Sequence, residues 1–129
     1  MANFVGLDKA YLADGSSAVA ANRFCVIGTT DQHIDLTPTA GQLVLGVVMD
    51  NVDADKVVGG VPVNVRLEGI APIEADDAIT LGAEVSTTTT GTATVSDTNP
   101  WRVAGIALQA ASAGDIINVL LTPAGRIIP

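Results

Sequence analysis

The chain has 129 residues, which suits one domain with a sizeable core and is too short for two full domains. Fourteen acids against six scattered bases give a formal net charge of −8, which excludes a phosphate-neutralising surface for nucleic acid and disfavours anionic membranes. Hydrophobic residues make up 48% but aromatics only 3%, so the core must come from aliphatic side chains, many of them β-branched residues that favour strands.

The sequence divides into an N-terminal segment (residues 1–22), a predicted β domain (residues 23–125) and a C-terminal tail (residues 126–129). Two interpretations of the N-terminal segment stay open. It is either an arm that adds a strand to a neighbouring molecule or the first strand of the chain's own sheet. The apolar anchors that such an arm would use are Phe4, Val5, Leu7 and Tyr11.

Short apolar segments then follow one another along the first half. Residues 24–27 predict a strand that ends at Gly28, and Cys25 within it is predicted to be buried. Residues 43–49 form a continuous apolar run, which is typical of a strand covered on both faces. Residues 61–67 alternate apolar and polar, which indicates a strand with one wet face.

The second half also consists of short apolar segments separated by turn residues. A strand at residues 83–86 leads into a Thr-rich stretch that predicts a hairpin with Gly91 as its turn residue. Residues 101–108 and 116–121 are two further apolar strands. Helix is nearly absent, with at most a turn at residues 16–21 or 75–80. The pattern therefore predicts an all-β fold, a small barrel or sandwich with extended termini.

An internal echo connects the two halves. The sequence Gly46-Val47-Val48-Met49 is followed by Val-Asn-Val-Arg-Leu at 63–67, while Gly105-Ile106-Ala107-Leu108 is followed by Ile-Asn-Val-Leu-Leu at 117–121. Repeated units of this length suggest two similar sub-sheets that close on each other. Two β halves rich in Val, Ile and Gly would also resemble each other by chance, so both explanations stay open here.

Catalytic chemistry finds little support. His33 lies in a polar, loop-like stretch, and a Cys25–His33 dyad would lack an orienting third residue. One Cys and one His cannot build a tetrahedral zinc site, and no Gly-rich loop leads into a Lys-Ser/Thr pair. We therefore predict that the protein is not an enzyme and carries no cofactor.

The segment Asp50-Asn51-Val52-Asp53-Ala54-Asp55 offers oxygen ligands at alternate positions. A helix-loop-helix calcium loop requires Gly at its sixth position and Glu at its twelfth, but counting from Asn51 these positions hold Lys56 and Pro62. We interpret the segment as a solvated hairpin loop, and ion binding stays an open alternative.

The residues around 65–85 carry a family resemblance. Val-Arg-Leu-Glu-Gly-Ile-Ala-Pro-Ile at 65–73, the acidic turn and Ile-Thr-Leu-Gly-Ala-Glu-Val at 79–85 resemble the capsid decoration, or cement, proteins of tailed bacteriophages. The late Gly-Ile-Ala-Leu-Gln-Ala and Gly-Asp-Ile-Ile-Asn-Val-Leu-Leu stretches, and the Pro-Ala-Gly at 123–125, fit the same group. The resemblance spans residues 24–125.

That resemblance implies a β-rich, β-tulip-like fold and a structural virion protein on the outer surface of an icosahedral head. It implies self-association, commonly as a homotrimer at three-fold or quasi-three-fold positions, and clamping of neighbouring major capsid subunits. Candidate contacts are the N-terminal anchors above together with Trp101, Arg126, Ile127 and Ile128, because Trp concentrates at interfaces and apolar chain ends can act as hooks. The alternative is a carbohydrate- or host-surface-binding module of a phage fibre.

No basic-then-apolar leader begins the chain, and no run of about 18 apolar residues is present to span a membrane. We therefore expect synthesis in the host cytoplasm, assembly into the virion, and neither nucleic acid nor membrane as a partner.

Overall fold

The structure, a computed structural model, describes residues 6–36, 38–97 and 101–127. It is nearly all β, with 49% strand and 4% helix, and its nine strands form one mixed sheet. The all-β prediction is confirmed. The helix in this described part is far too short to cross a membrane.

The strands, in chain order, are β1 (Gly6–Ala13), β2 (Arg23–Ile27), β3 (His33–Asp35), β4 (Gly46–Val48), β5 (Val63–Glu74), β6 (Glu84–Thr87), β7 (Ala93–Val95), β8 (Arg102–Ala107) and β9 (Ile116–Ile127). One short helix, α1 (Ala54–Val58), lies between β4 and β5.

The Thr-rich hairpin is present as predicted, because β6 and β7 pair antiparallel and Gly91 has the positive φ (84°) that its turn requires. Two local predictions are wrong. The acidic segment 50–55 is not all loop, since α1 starts inside it after Asp53. His33 does not lie in a loop but begins β3, where it is held opposite β1.

The strands of the first half pair in a closed series, which begins and ends at β1. β1 pairs with β3 in parallel and with β5 antiparallel, while β2 pairs with both β3 and β4, and β4 pairs with β5. An antiparallel bridge between Val19 and Val52 joins the two connecting segments. These strands, with only the first part of β5, form a closed circuit that we call the first unit.

The second half repeats every one of these pairings. The second part of β5 pairs antiparallel with β9, and Ala75 just beyond it bridges β7 in parallel. β6 pairs with β7 and β8, β8 pairs with β9, and Ile79 bridges Ala111 as Val19 bridges Val52. We call this circuit the second unit. The shared pattern favours internal repetition over a chance likeness of the two halves, and β5 belongs to both units.

The repeat fixes which residues are equivalent. Gly46 lies opposite Cys25 in the first unit, as Gly105 lies opposite Val85 in the second. In both units a side chain on this glycine would collide with the backbone carbonyl of the next strand, at Arg66 or at Leu120. The same close approach of strands explains why glycine stands at both positions.

Each unit encloses its own apolar cluster. The first contains Cys25, Val48 and Val65 among others, and the second contains the equivalent Val85, Ala107 and Val119. Phe24 and Val47 belong to the second cluster although their strands belong to the first unit. Through these two residues the first unit packs against the cluster of the second unit.

At the N-terminus, residues 6–13 form strand β1 within the chain's own sheet, and residues 1–5 lie outside the described residues. At the other end, β9 continues to Ile127, where its backbone pairs with the start of β8. Ile128 and Pro129 lie outside the described residues.

Candidate partner-binding surfaces

An open, apolar groove lies on the first unit. It has a volume of about 490 Å³ and lies where β2 and the segment before β4 diverge. Ile27 is 65% exposed, and Leu7 and Leu43 are each about half exposed. The groove-lining residues, which define what we call the first-unit groove, are Leu7, Val26, Ile27, Gln42, Leu43, Val44, Leu45, Leu67 and Glu68.

The equivalent position in the second unit is filled. Gly41, from the loop before β4, donates from its N to the Thr87 carbonyl oxygen and accepts from Arg102 N, both at 2.9 Å. The Trp101 ring lies directly over Gly41, where any side chain would collide with it. The lining of the two grooves also differs. The second unit has Thr87 and Arg102 where the first unit has Ile27 and Leu43, and Thr87 is fully buried.

A second apolar surface lies on the outer face of the second unit. Ile70, Leu120 and Ile106 are cross-strand neighbours on β5, β9 and β8. Leu120 and Ile106 each lie between buried strand neighbours, so their side chains point away from the core, while Ile70 is half-buried next to the buried Ala71. Leu108 and Ile116 are also exposed. We call these five residues the aliphatic face.

The first unit carries charge at the matching positions. Asp8 and Arg66 are the equivalents of Ile70 and Leu120, and they form a two-point ion pair with Nε–Oδ1 at 2.8 Å and Nη2–Oδ2 at 3.2 Å. Val47, the equivalent of Ile106, is buried against the second unit. An outward sheet face is normally polar, so an aliphatic row here indicates a surface built to be covered.

The residues predicted as contacts fall in different places. Leu7 is half exposed and lines the first-unit groove. Tyr11 is half-buried against the first core cluster, with the Lys9 Nζ 5.2 Å from its ring centroid. Trp101 is half-buried over Gly41 of its own chain.

The remaining predicted contacts lie at the chain ends. Arg126 and Ile127 are the last residues of β9, where their backbone is opposite Val103 and Arg102. Phe4, Val5 and Ile128 lie outside the described residues.

The acidic segment uses its oxygens within the fold. The backbone N–H of Asn64 donates to Asp50 Oδ2 and the backbone N–H of Ala21 donates to Asn51 Oδ1, each at 3.0 Å. Within residues 6–36, 38–97 and 101–127, no three potential metal-ligating side chains come together. These two hydrogen bonds give Asp50 and Asn51 a structural role, because they bind the segment to β5 and to the loop before β2.

Cys25 is buried as predicted, and burial raises the pKa of its thiol to about 12. His33 lies with its Nδ1 3.0 Å from Asp14 Oδ1, and Asp14 Oδ2 also accepts the Thr29 amide. β3 is held to the end of β1 by the backbone, since the Asp14 N–H donates to the Ile34 carbonyl oxygen at 2.8 Å. Neither residue lies on the first-unit groove or on the aliphatic face.

Sequence reasoning missed both surfaces. Ile27, Leu43, Ile106 and Leu120 read as core residues, because continuous apolar runs suggest strands covered on both faces. The available signal was the internal echo itself. Aligning the two halves makes Leu120 the equivalent of Arg66 and Ile27 the equivalent of the buried Thr87, so at both positions one half has an apolar residue where the other has a polar one.

Comparison with known proteins now places the chain. The model of a family described as phage cement protein matches residues 10–122. The chain belongs to the phage cement proteins. Membership gives this cement protein a capsid-stabilising structural role and a location on the phage capsid.

A solved structure shares its fold: the head fiber gp8.5 N base of bacteriophage phi29, with a TM-score of 0.68 and 20% sequence identity. The likeness covers 93% of this cement protein and 97% of that chain, and at this identity it shows the fold alone. No curated protein matches the sequence.

Proposed function

We propose that this cement protein binds the outer surface of an icosahedral phage head as a homotrimer at three-fold or quasi-three-fold positions. There it clamps neighbouring major capsid subunits and performs no catalysis. A protein that binds the assembled shell but not separated subunits stabilises the shell by mass action. Trimers add multivalency, because each bound copy raises the effective concentration of the next.

The aliphatic face carries the proposal and supplies the shell-facing surface. Its central row, Ile70, Leu120 and Ile106, crosses three strands without a charge. Full burial of one such side chain contributes about 1.5–3 kcal/mol, and Ile106 and Leu120, which are 37% and 41% exposed, would gain the corresponding fraction of this on contact. A face of this kind fits a neutral, apolar patch on the capsid, which the net charge of −8 does not oppose.

The C-terminal residues extend the clamp. Arg126 and Ile127 pair with β8 through their backbone, and Ile128 follows them in the sequence. We assign the C-terminal three to the shell contact as a hook that accompanies the aliphatic face. Tyr11 and Trp101 both pack inside the chain, so they support the fold and stay outside the proposed contact.

The test uses heads in the expanded state, stripped of decoration, and a variant borrowed from the chain's own repeat. Ile70→Asp with Leu120→Arg recreates the Asp8–Arg66 ion pair on the second unit without changing net charge. Wild-type chain should bind saturably at one copy per major capsid subunit. The double variant should keep its fold and lose at least about tenfold in affinity, because about 1.4 kcal/mol corresponds to that factor.

A control is Val58→Asp at the end of α1, which replaces a more exposed aliphatic side chain that does not belong to the aliphatic face. It should bind heads as the wild type does. Absence of saturable binding by the wild type would contradict the proposed function. Unchanged binding by the Ile70→Asp, Leu120→Arg variant would remove the aliphatic face from it.

The fold shared with a head fibre base favours a second candidate. In it the chain is a module at the root of a phage fibre that contacts a host surface or a carbohydrate. A glycan array separates the two, since a clear glycan signal without binding to heads would favour the fibre module.

A further inference from the structure

The first-unit groove and its filled equivalent can be compared position by position. In the second unit the groove is occupied by Gly41, which lies in the loop between β3 and β4 and therefore belongs to the first unit and not to the second. Its backbone bridges the two diverging strands through Thr87 O and Arg102 N. The architecture therefore makes a groove whose natural occupant is a backbone segment supplied from outside its own unit.

The first unit presents the same frame without an occupant from within the described chain. Ile27 and Leu43 stand at the positions of Thr87 and Arg102, and the Leu43 amide donates to no carbonyl of the described residues. Gln42 replaces Trp101, whose ring closes the other groove. A segment that fits here must bring bulky apolar side chains, because the groove lacks its own aromatic plug.

The chain has such a segment beside the groove. Leu7 lines the groove, and the described structure begins one residue earlier at Gly6. Phe4 and Val5 precede Gly6 by two residues and one residue, so they lie within about 7 Å of it along the chain. They therefore reach a neighbouring groove only when the grooves of two copies lie close to a shared symmetry axis.

We infer that the first-unit groove is a self-association site that receives residues 1–5 of a second copy, with Phe4 and Val5 against Ile27 and Leu43. Each copy then gives its N-terminal segment and receives its neighbour's. This arrangement closes a ring when every copy passes its segment to the next. The inference rests on the proposed self-association and assigns the groove to chain–chain contact and the aliphatic face to the shell.

The direct test mixes two singly substituted chains, Phe4→Cys and Ile27→Cys, under mild oxidation. The native Cys25 is fully buried and does not compete. A disulfide-linked pair should form in the mixture. A control mixture of Phe4→Cys with Val58→Cys, whose substituted residue is 69% exposed against 65% for Ile27, should give none.

A second test exchanges the lining of the groove for that of the second unit. Ile27→Thr with Leu43→Arg installs residues that the repeat already accommodates at these positions. Light scattering should show the wild type above monomer mass and this variant at monomer mass, with at least a tenfold weaker self-association. Val58→Thr should leave the mass unchanged.

Absence of the mixed disulfide, or a Phe4–Ile27 link that forms only within a doubly substituted chain, overturns the inference. An Ile27→Thr, Leu43→Arg variant that stays fully associated does the same. Binding to stripped heads separates this failure from that of the proposed function. If the protein binds heads but forms no mixed disulfide, the proposed function is supported and the self-association site is not. If the mixed disulfide forms but the protein does not bind heads, only the self-association site is supported.

Discussion

At the scale of single residues, the best-defined polar contact joins β1 to β5. Arg66 grips both carboxylate oxygens of Asp8, Asn64 Nδ2 donates to the same carboxylate at 3.0 Å, and Arg66 Nη1 also donates to the Ile70 carbonyl oxygen. The Arg66 hydrogen bonds hold the pKa of Asp8 below its usual value, with Asn64 contributing. The pair fixes the N-terminal strand that begins beside the first-unit groove.

Asp8→Asn should therefore lower the free energy of unfolding at neutral pH by about 1 kcal/mol or less, because the pair is partly exposed. The folded-state pKa is depressed, so the stabilisation is present above the unfolded pKa of about 3.9 and is lost as pH falls through the folded pKa. Urea titrations from pH 7 to pH 2 should show the two proteins converge at the acid end. A difference that grows toward low pH would contradict this assignment.

At the scale of elements, the two hairpin turns differ in one informative way. Gln32 has φ 64° in the first turn and Gly91 has φ 84° in the second. A side chain on Gly91 would lie 2.7 Å from the Phe24 carbonyl oxygen, and the Gly91 carbonyl oxygen accepts the Phe24 amide. The second turn is thus a joint between the units, while Gln32 is exposed.

Gly91→Ala should destabilise the protein by about 1–3 kcal/mol, because it adds strain at positive φ and pushes on Phe24. Gln32→Gly should leave stability unchanged within about 1 kcal/mol, since glycine adopts the same φ freely. Thermal unfolding of both variants checks the pair. Equal effects would show that the second turn has no special role in joining the units.

Most elements follow from the sequence. The apolar runs and turn residues predicted β2, β4 to β9 and the all-β class, because strand periodicity and turn chemistry are local signals. β3 and α1 were missed, since His33-Ile34-Asp35 and Ala54–Val58 are short and polar at their ends and are ordered by long-range pairing. The first-unit groove and the aliphatic face were not predicted for a similar reason. Whether an apolar side chain is buried or exposed depends on whether the other unit packs against it, which the local sequence does not show.

At the scale of the whole molecule, repetition organises the functional surfaces. One unit covers the other through Phe24 and Val47, whereas Ile106, the equivalent of Val47, and its cross-strand neighbour Leu120 are exposed to solvent. The filled and open grooves show the same asymmetry. A stack of repeats normally ends in polar caps, so apolar ends on a negatively charged chain indicate that other molecules complete the stack.

The most direct test of the cement role is an electron cryomicroscopy comparison of expanded, stripped heads before and after addition of the wild-type chain. The account predicts added three-fold density on the outer surface, with β8 and β9 turned toward the major capsid subunits and the first-unit grooves turned toward one another. Heads without added density, or added density in which β8 and β9 point to solvent, would contradict it.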